Sequence, residues 1–319
     1  MKSIVFARGF EYAVDALEWL LTEGEDVAAV VCRPGGEIGT LLETASRHHV
    51  PTYQAPPNPN EPEFIEFLRA FGADLFIFQY FGRLVTPEFI AIPPLGCINM
   101  HTALLPKYRG QSAQAWMVAN GDEESGMTIH YIAEGIDTGD IIAQVTVPIE
   151  PTDTGASMER KVATQGLELF KETYPLLKSG KAPRISQNHE GATWCVAPRS
   201  YHFRIDWNTP AIRVHNHIRG FHYPAVGGFF RSQIAFTSLG RQQLLVYSSQ
   251  VVEDPLPFRG EVPGQVLAVT GEGILVNTGD GQILLTDVRL PGADETEEAN
   301  AYDLLAHLPF PCVLGSAGT

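Results

Sequence analysis

Apolar and polar residues follow two different rhythms along the chain, and the rhythm changes near its middle. In the first half, short apolar runs are separated by amphipathic stretches. Ser3 to Ala7 and Val27 to Cys32 are runs of strand length, and between them Ala13, Leu17, Leu20 and Leu21 recur at helical spacing. Leu41 to His49 and Glu61 to Phe71 predict two further helices, the second following the loop Pro56-Pro57-Asn58-Pro59. Leu75 to Phe78 and Cys97 to His101 predict two more buried strands. Strands alternating with helices in this way predict an α/β fold built on a mainly parallel sheet.

The second half reads differently. Met127 to Ile132 and Ile141 to Val147 look like strands bracketing the loop Glu134 to Asp140. Thr154 to Leu177 predicts a long helix with Thr152 or Asp153 as its cap. A stretch rich in Gly, Pro and polar residues follows, from about Ser179 to Arg204. One short helix, Ala211 to Arg219, then precedes the β-type runs Gly228 to Phe230, Leu244 to Val252, Gln265 to Val269, Ile274 to Val276 and Ile283 to Val288. Their spacing predicts a small barrel or sandwich. The expected organisation is a domain over residues 1–190, a connector over 191–205 and a β-rich domain over 206–319.

Composition narrows the function classes. No apolar run is long enough to span a bilayer, and the opening Met1 to Ala7 reads as a strand rather than a leader, which points to the cytoplasm. Cys32, Cys97, Cys195 and Cys312 are too widely spaced for a CxxC pair or zinc knuckle. The net charge is −15, and beyond Ser200 twelve acidic residues face seven arginines and no lysine. Affinity for nucleic acid rests largely on cations at phosphates, so this balance argues against a nucleic-acid partner, short of a local basic patch.

The first strand-to-helix turn, Ala7-Arg8-Gly9-Phe10-Glu11-Tyr12, lacks the GxGxxG of a dinucleotide grip. The chemistry is concentrated later. Asn99 and His101 stand two positions apart on an apolar strand, hence on one face, where polar side chains at a strand's carboxyl end meet ligands. Asp137 sits in the Asp-Thr-Gly-Asp loop, which read alone is equally a plain turn. A carboxamide, an imidazole and a carboxylate together suit acyl transfer: the Asn99 amide holds an oxyanion, His101 donates to it or takes a proton, and Asp137 fixes the imidazole.

In order, the chain carries Asn99-x-His101, Leu104 to Gly110, Gly126-x-Thr128-Ile129-His130 and Asp137 to Ile141. Further on come Glu190 to Thr193, Ile205-Asp206-Trp207 and His215-Asn216-x-Ile218-Arg219. This succession resembles the folate-dependent formyltransferases over roughly the first 230 residues, with a fainter continuation. The resemblance implies a Rossmann-like catalytic domain followed by a small β-barrel of OB-like type. It implies 10-formyltetrahydrofolate as formyl donor, no metal, and Asn99, His101 and Asp137 as the catalytic set. It also implies a pterin held largely by backbone groups of Arg83, Leu84 and Val85 and of the loop at Ile136 and Asp137.

For the acceptor, Leu104 to Gly110 followed by Trp116 and Asn120-Gly121 resembles the sugar-nucleotide N-formyltransferases, such as those acting on UDP-4-amino-arabinose. That makes an amino sugar on a nucleotide the expected small-molecule amine, with Lys107, Tyr108 and Arg109 as its contacts and Lys107 and Arg109 near a diphosphate. Two alternatives stand beside it. Methionyl-tRNA formylation is disfavoured by charge and by the absence of a basic insertion after Cys32. Hydrolysis, with water as acceptor, is favoured by Lys181 to Arg184 and Glu190 to Trp194 and opposed by Asn99. Ala103 and Ala113 stand where the family usually has Ser and Pro. Phe221-His222-Tyr223-Pro224 is read as core packing or domain docking before a stacking platform. Oligomerisation is left open by the sequence.

Overall fold

The computed structural model describes residues 1–33, 38–223, 234–257, 262–291 and 312–315. The apolar runs of the first half form β1 (Lys2–Ala7), β2 (Asp26–Cys32), β4 (Leu75–Gln79) and β5 (Cys97–His101), with a short β3 (Thr52–Gln54). These five pair in parallel, and β7 (Glu124–Tyr131) and β8 (Ile141–Pro148) extend the sheet antiparallel beyond β5. The resulting order is β3-β2-β1-β4-β5-β7-β8. It reverses direction between β1 and β4, where such sheets open a crevice at their carboxyl edge.

Both faces of this sheet are covered. On one, α1 (Glu11–Thr22), α2 (Gly39–Arg47) and α6 (Gly155–Lys178) bury Leu17, Leu20, Leu41, Val162 and Phe170 against Val5, Ile77 and Ile98. On the other, α3 (Pro62–Arg69) and α4 (Pro87–Ile90) close over an aromatic cluster. There Phe6 stacks on Phe78 at 4.4 Å and meets Phe76, Phe81 and Phe89. Phe6→Ala removes the hub of that cluster, a loss of about 3–5 kcal/mol for a buried ring.

The cap of α6 falls at neither expected residue. Thr154 caps it, accepting from Ser157 N–H in a reciprocal capping box. Asp153 is instead drawn into bonds with Glu150 N–H, Ser157 Oγ and Lys161 Nζ, the last at 2.6 Å.

The connector is structured. Its β9 (Trp194–Cys195) pairs in parallel with β6 (Arg109–Gly110), and α5 (Ala113–Asn120) follows β6 directly. Beyond the connector, α7 (Ala211–Gly220) packs Val214 and Ile218 against a second sheet. That sheet holds β10 (Ala235–Leu239), β11 (Gln242–Val251), β12 (Val266–Thr270), β13 (Gly273–Asn277) and β14 (Gln282–Arg289), in the order β10-β11-β14-β13-β12. All its pairs are antiparallel. Gly228 to Phe230 lie outside the described residues. Phe221 and Tyr223 are buried against Ala115 and Ala119 of α5, so they dock α7 onto the first sheet's helices. Among the described residues, no helix is long and apolar enough to cross a membrane.

Candidate active site

Pairing of β5 with β7 builds the centre of the site. Asn99 lies directly opposite His130, and His101 opposite Thr128. With a side-chain period of two, all four share one face of the sheet. The Asn99 amide Nδ2 donates to His130 Nε2 at 3.1 Å, while His130 Nδ1–H donates to the Tyr131 carbonyl at 2.8 Å. His130 is therefore held by both nitrogens, and the second amide N–H of Asn99 is left for a ligand. His130 stands in the Gly126-x-Thr128-Ile129-His130 motif, and no role was foreseen for it. Its period-two spacing from Thr128 was the available signal.

His101 is buried, and its Nε2–H donates to the Tyr108 carbonyl at 2.8 Å. That bond turns Nδ1 toward Asp137 Oδ2, 3.6 Å away. The other carboxylate oxygen of Asp137 lies 3.6 Å from His130 Nε2. Gly110 N–H donates to Oδ2 at 2.9 Å. Burial opposes ionisation of Asp137, but the neighbouring His101 and the Gly110 N–H outweigh it and hold the carboxyl well below the usual range.

Local backbone geometry explains how a loop carboxylate reaches the strand ends. Asp137 has φ 51°, left-handed, which Asp tolerates better than most residues. Gly110 has φ 114°, and a Cβ there would meet the Cys195 carbonyl oxygen at 2.1 Å, so only glycine lets β6 lie against β9. Buried Gln187 completes the frame. Its Nε2 donates to the carbonyls of Asp137 and Gly139 at 2.9 and 2.6 Å, and its Oε1 accepts from Arg109. Sequence reasoning missed Gln187, because a connector glutamine has no periodicity that marks it.

Arg109 requires a correction. It is buried, with Nε and Nη2 donating to Gln187 Oε1 at 3.2 and 2.5 Å and Nη2 2.9 Å from His189 Nδ1. Nε and Nη2 are thus engaged by Gln187 and His189 on a buried side chain, an arrangement that disfavours the diphosphate contact expected of it. Lys107 is exposed, and Tyr108 is half-buried, its N–H donating to Thr193 Oγ1 at 2.8 Å. Ala103 and Ala113, the two departures from the family pattern, share one apolar cluster with Met117 and Cys195.

On the flank expected to hold the donor, Leu84 and Ile136 leave 63% and 46% of their surface exposed. Asn60 holds this flank, donating to the Leu84 carbonyl at 3.1 Å and accepting from Thr86 N–H at 2.8 Å. Of the backbone groups expected at the pterin, the Leu84 carbonyl is thus already engaged. Arg83 is exposed and Val85 packs against the aromatic core.

Comparison with known proteins agrees with this geometry. The formyl transferase family model matches residues 1–174, and the model of the formyl transferase C-terminal domain matches residues 200–302. The chain belongs to the formyl transferase family. It is 34% identical over 316 residues to the methionyl-tRNA formyltransferase of Synechococcus sp. (strain JA-3-3Ab), covering 95% of this chain and 94% of that one. To the enzyme of the same name from Geobacillus thermodenitrificans it is 34% identical over 302 residues, covering 92% and 91%. Among solved structures, the Helicobacter canadensis N-formyltransferase in complex with folinic acid and dTDP-3-aminofucose superposes with a TM-score of 0.67. That match has 21% identity, covers 90% of this chain and 99% of the other, and speaks for the fold.

These relatives shift weight from the expected amino sugar to the alternative acceptor. Net charge is a sum over the whole surface, whereas contact is local, so the acidic balance does not by itself decide between the two acceptors. The exposed Arg204 and Arg213 lie together on one surface cleft, although acids outnumber bases beyond Ser200.

Proposed function

We propose that this enzyme transfers the formyl group of 10-formyltetrahydrofolate to the amine of methionyl-tRNA. The observation that carries the reading is end-to-end similarity, at 34% identity over 95% of the chain, to proteins named for that reaction. The geometry supports the chemistry. The neutral amine attacks the formyl carbon, and the free N–H of Asn99 faces the oxygen that gains charge. A carboxyl held as low as that of Asp137 is a weak base by itself. The proton leaving the amine is taken by His101 and Asp137 as a pair, with Asp137 stabilising the resulting imidazolium. The folate nitrogen leaves with a proton as the intermediate collapses. Arg83, Leu84, Val85 and Ile136 line the donor side in this reading.

Incubation with 10-formyltetrahydrofolate and charged methionyl-tRNA should yield formylmethionyl-tRNA and tetrahydrofolate in equal amounts. Absence of product, with turnover on nucleotide-linked amino sugars, would refute the reading. That second acceptor class is favoured by one feature, the short connection from Cys32 to Gly39, which carries no basic insertion. Tetrahydrofolate release without any amine would identify a hydrolase.

A further inference from the structure

A cleft of about 220 Å³ lies between α5 and α7, away from the strand-end constellation. It is the size of one planar ring system with little to spare, and smaller than a pocket for a drug-sized ligand. Aromatic groups form its walls. Trp116 meets His202 at 5.0 Å and Phe221 at 5.2 Å between ring centroids, both edge to face. The indole Nε1–H donates to the Val196 carbonyl at 2.8 Å. His217 also lines the cleft, and its buried Nε2 has no hydrogen-bond partner among the described residues. A buried polar atom left unmet is a cost to the fold that a ligand with a matching group relieves.

The rim is cationic. Arg204 and Arg213 are exposed, and neither has a carboxylate partner among the described residues. Their hydrogen bonds run to the backbone carbonyls of Gly315 and Asn120. The one acid in the lining, Asp206, turns its Oδ1 to the backbone and side chain of Asn208. Rings inside and guanidinium groups outside are the complement of an unpaired nucleotide, with base stacked and phosphate paired.

The cleft also touches the chemistry. Asn120, in its wall, donates from Nδ2 to the Tyr108 hydroxyl at 3.0 Å. The carbonyl of the same Tyr108 is the acceptor that orients His101. Tyr108 has φ 55°, in the left-handed region, and its hydroxyl also meets Asp122, so one residue joins the cleft wall to the group that orients His101.

We infer that this cleft seats an unpaired nucleobase of the acceptor, with a flanking phosphate on Arg204 and Arg213, and that Asn120 and Tyr108 report its occupancy to His101. The assignment to a tRNA end rests on the function proposed above, and a nucleotide-linked amino sugar offers the same base and phosphate chemistry. The test uses the full-length protein and the variants Arg204→Gln, Arg213→Gln and Asn120→Ala, with both acceptors and a series of salt concentrations.

Each arginine variant is expected to raise KM for methionyl-tRNA about tenfold while leaving kcat and the folate KM unchanged. Each should also flatten the salt dependence of kcat/KM by about one unit of slope, which a merely structural role would not do. Asn120→Ala should lower kcat about tenfold with the acceptor KM little changed. If the wild type formylates methionyl-tRNA and the arginine variants keep its KM and salt slope, the cleft assignment is overturned while the function stands. If the wild type formylates only nucleotide-linked amino sugars, the tRNA reading fails. A raised KM for those sugars in the arginine variants then keeps the cleft, and an unchanged one overturns it.

Discussion

The strand-end site and the cleft between α5 and α7 are built on opposite principles. At the strand ends every titratable group is engaged: His101 by Tyr108 and Asp137, His130 by Asn99 and Tyr131, Asp137 by Gly110 N–H. In the cleft a buried His217 nitrogen and two exposed arginines have, respectively, no hydrogen-bond partner and no carboxylate partner among the described residues. A site that moves protons needs its groups fixed before the substrate arrives, because reorganisation at the moment of reaction raises the barrier. A surface that recognises a partner keeps capacity in reserve, because the partner completes it. The first arrangement predicts losses in kcat, the second in KM.

The sharpest break in that comparison is Asn99→Ala. Removal of one oxyanion donor should lower kcat by about 10²–10³ with the folate KM nearly unchanged. Wild-type turnover in a folded variant would remove Asn99 from the chemistry. Asp137→Asn should cost a comparable factor, and it carries a pH signature. The depressed carboxyl contributes stability that is fully present above its unfolded value near pH 4 and is lost as pH falls through the folded value. The melting-temperature gap between wild type and Asp137→Asn should therefore shrink on acidification below about pH 4. A gap independent of pH would contradict the assignment.

Gln187→Ala tests whether the frame is as fixed as the hydrogen bonds imply. The loss of two carbonyl partners at Asp137 and Gly139 should reduce kcat by about 10–100-fold and leave the acceptor KM near its wild-type value. A change confined to KM would move Gln187 to the recognition side. The smallest effect is expected at Glu159, which accepts from Tyr80 Oη at 2.5 Å. Burial, only partly offset by that bond, raises its carboxyl above the ordinary value. An acid raised in this way destabilises the fold increasingly as pH climbs above its unfolded value. Glu159→Gln should thus melt alike below about pH 4 and a few degrees higher at pH 8, with turnover unaffected. A lower melting temperature at pH 8 would contradict the raised value.

The sequence by itself determined the layered α/β half, because continuous apolar runs such as Val27 to Cys32 are stable only when buried on both faces. It determined that Asn99 and His101 share a face, since strand periodicity is local. It also carried the family, through motifs whose order no single turn or strand demands. The tertiary structure decided what depends on distant partners. The pairing of β5 with β7 placed His130 against Asn99, and Gln187 reached Asp137 from a connector fifty residues away. Arg109 reads in the sequence as an acceptor contact near a diphosphate, yet the β6–β9 pairing goes with its burial. Net charge could not choose the acceptor for the same reason: composition adds charges without places, and only the fold sets Arg204 and Arg213 beside one aromatic cleft.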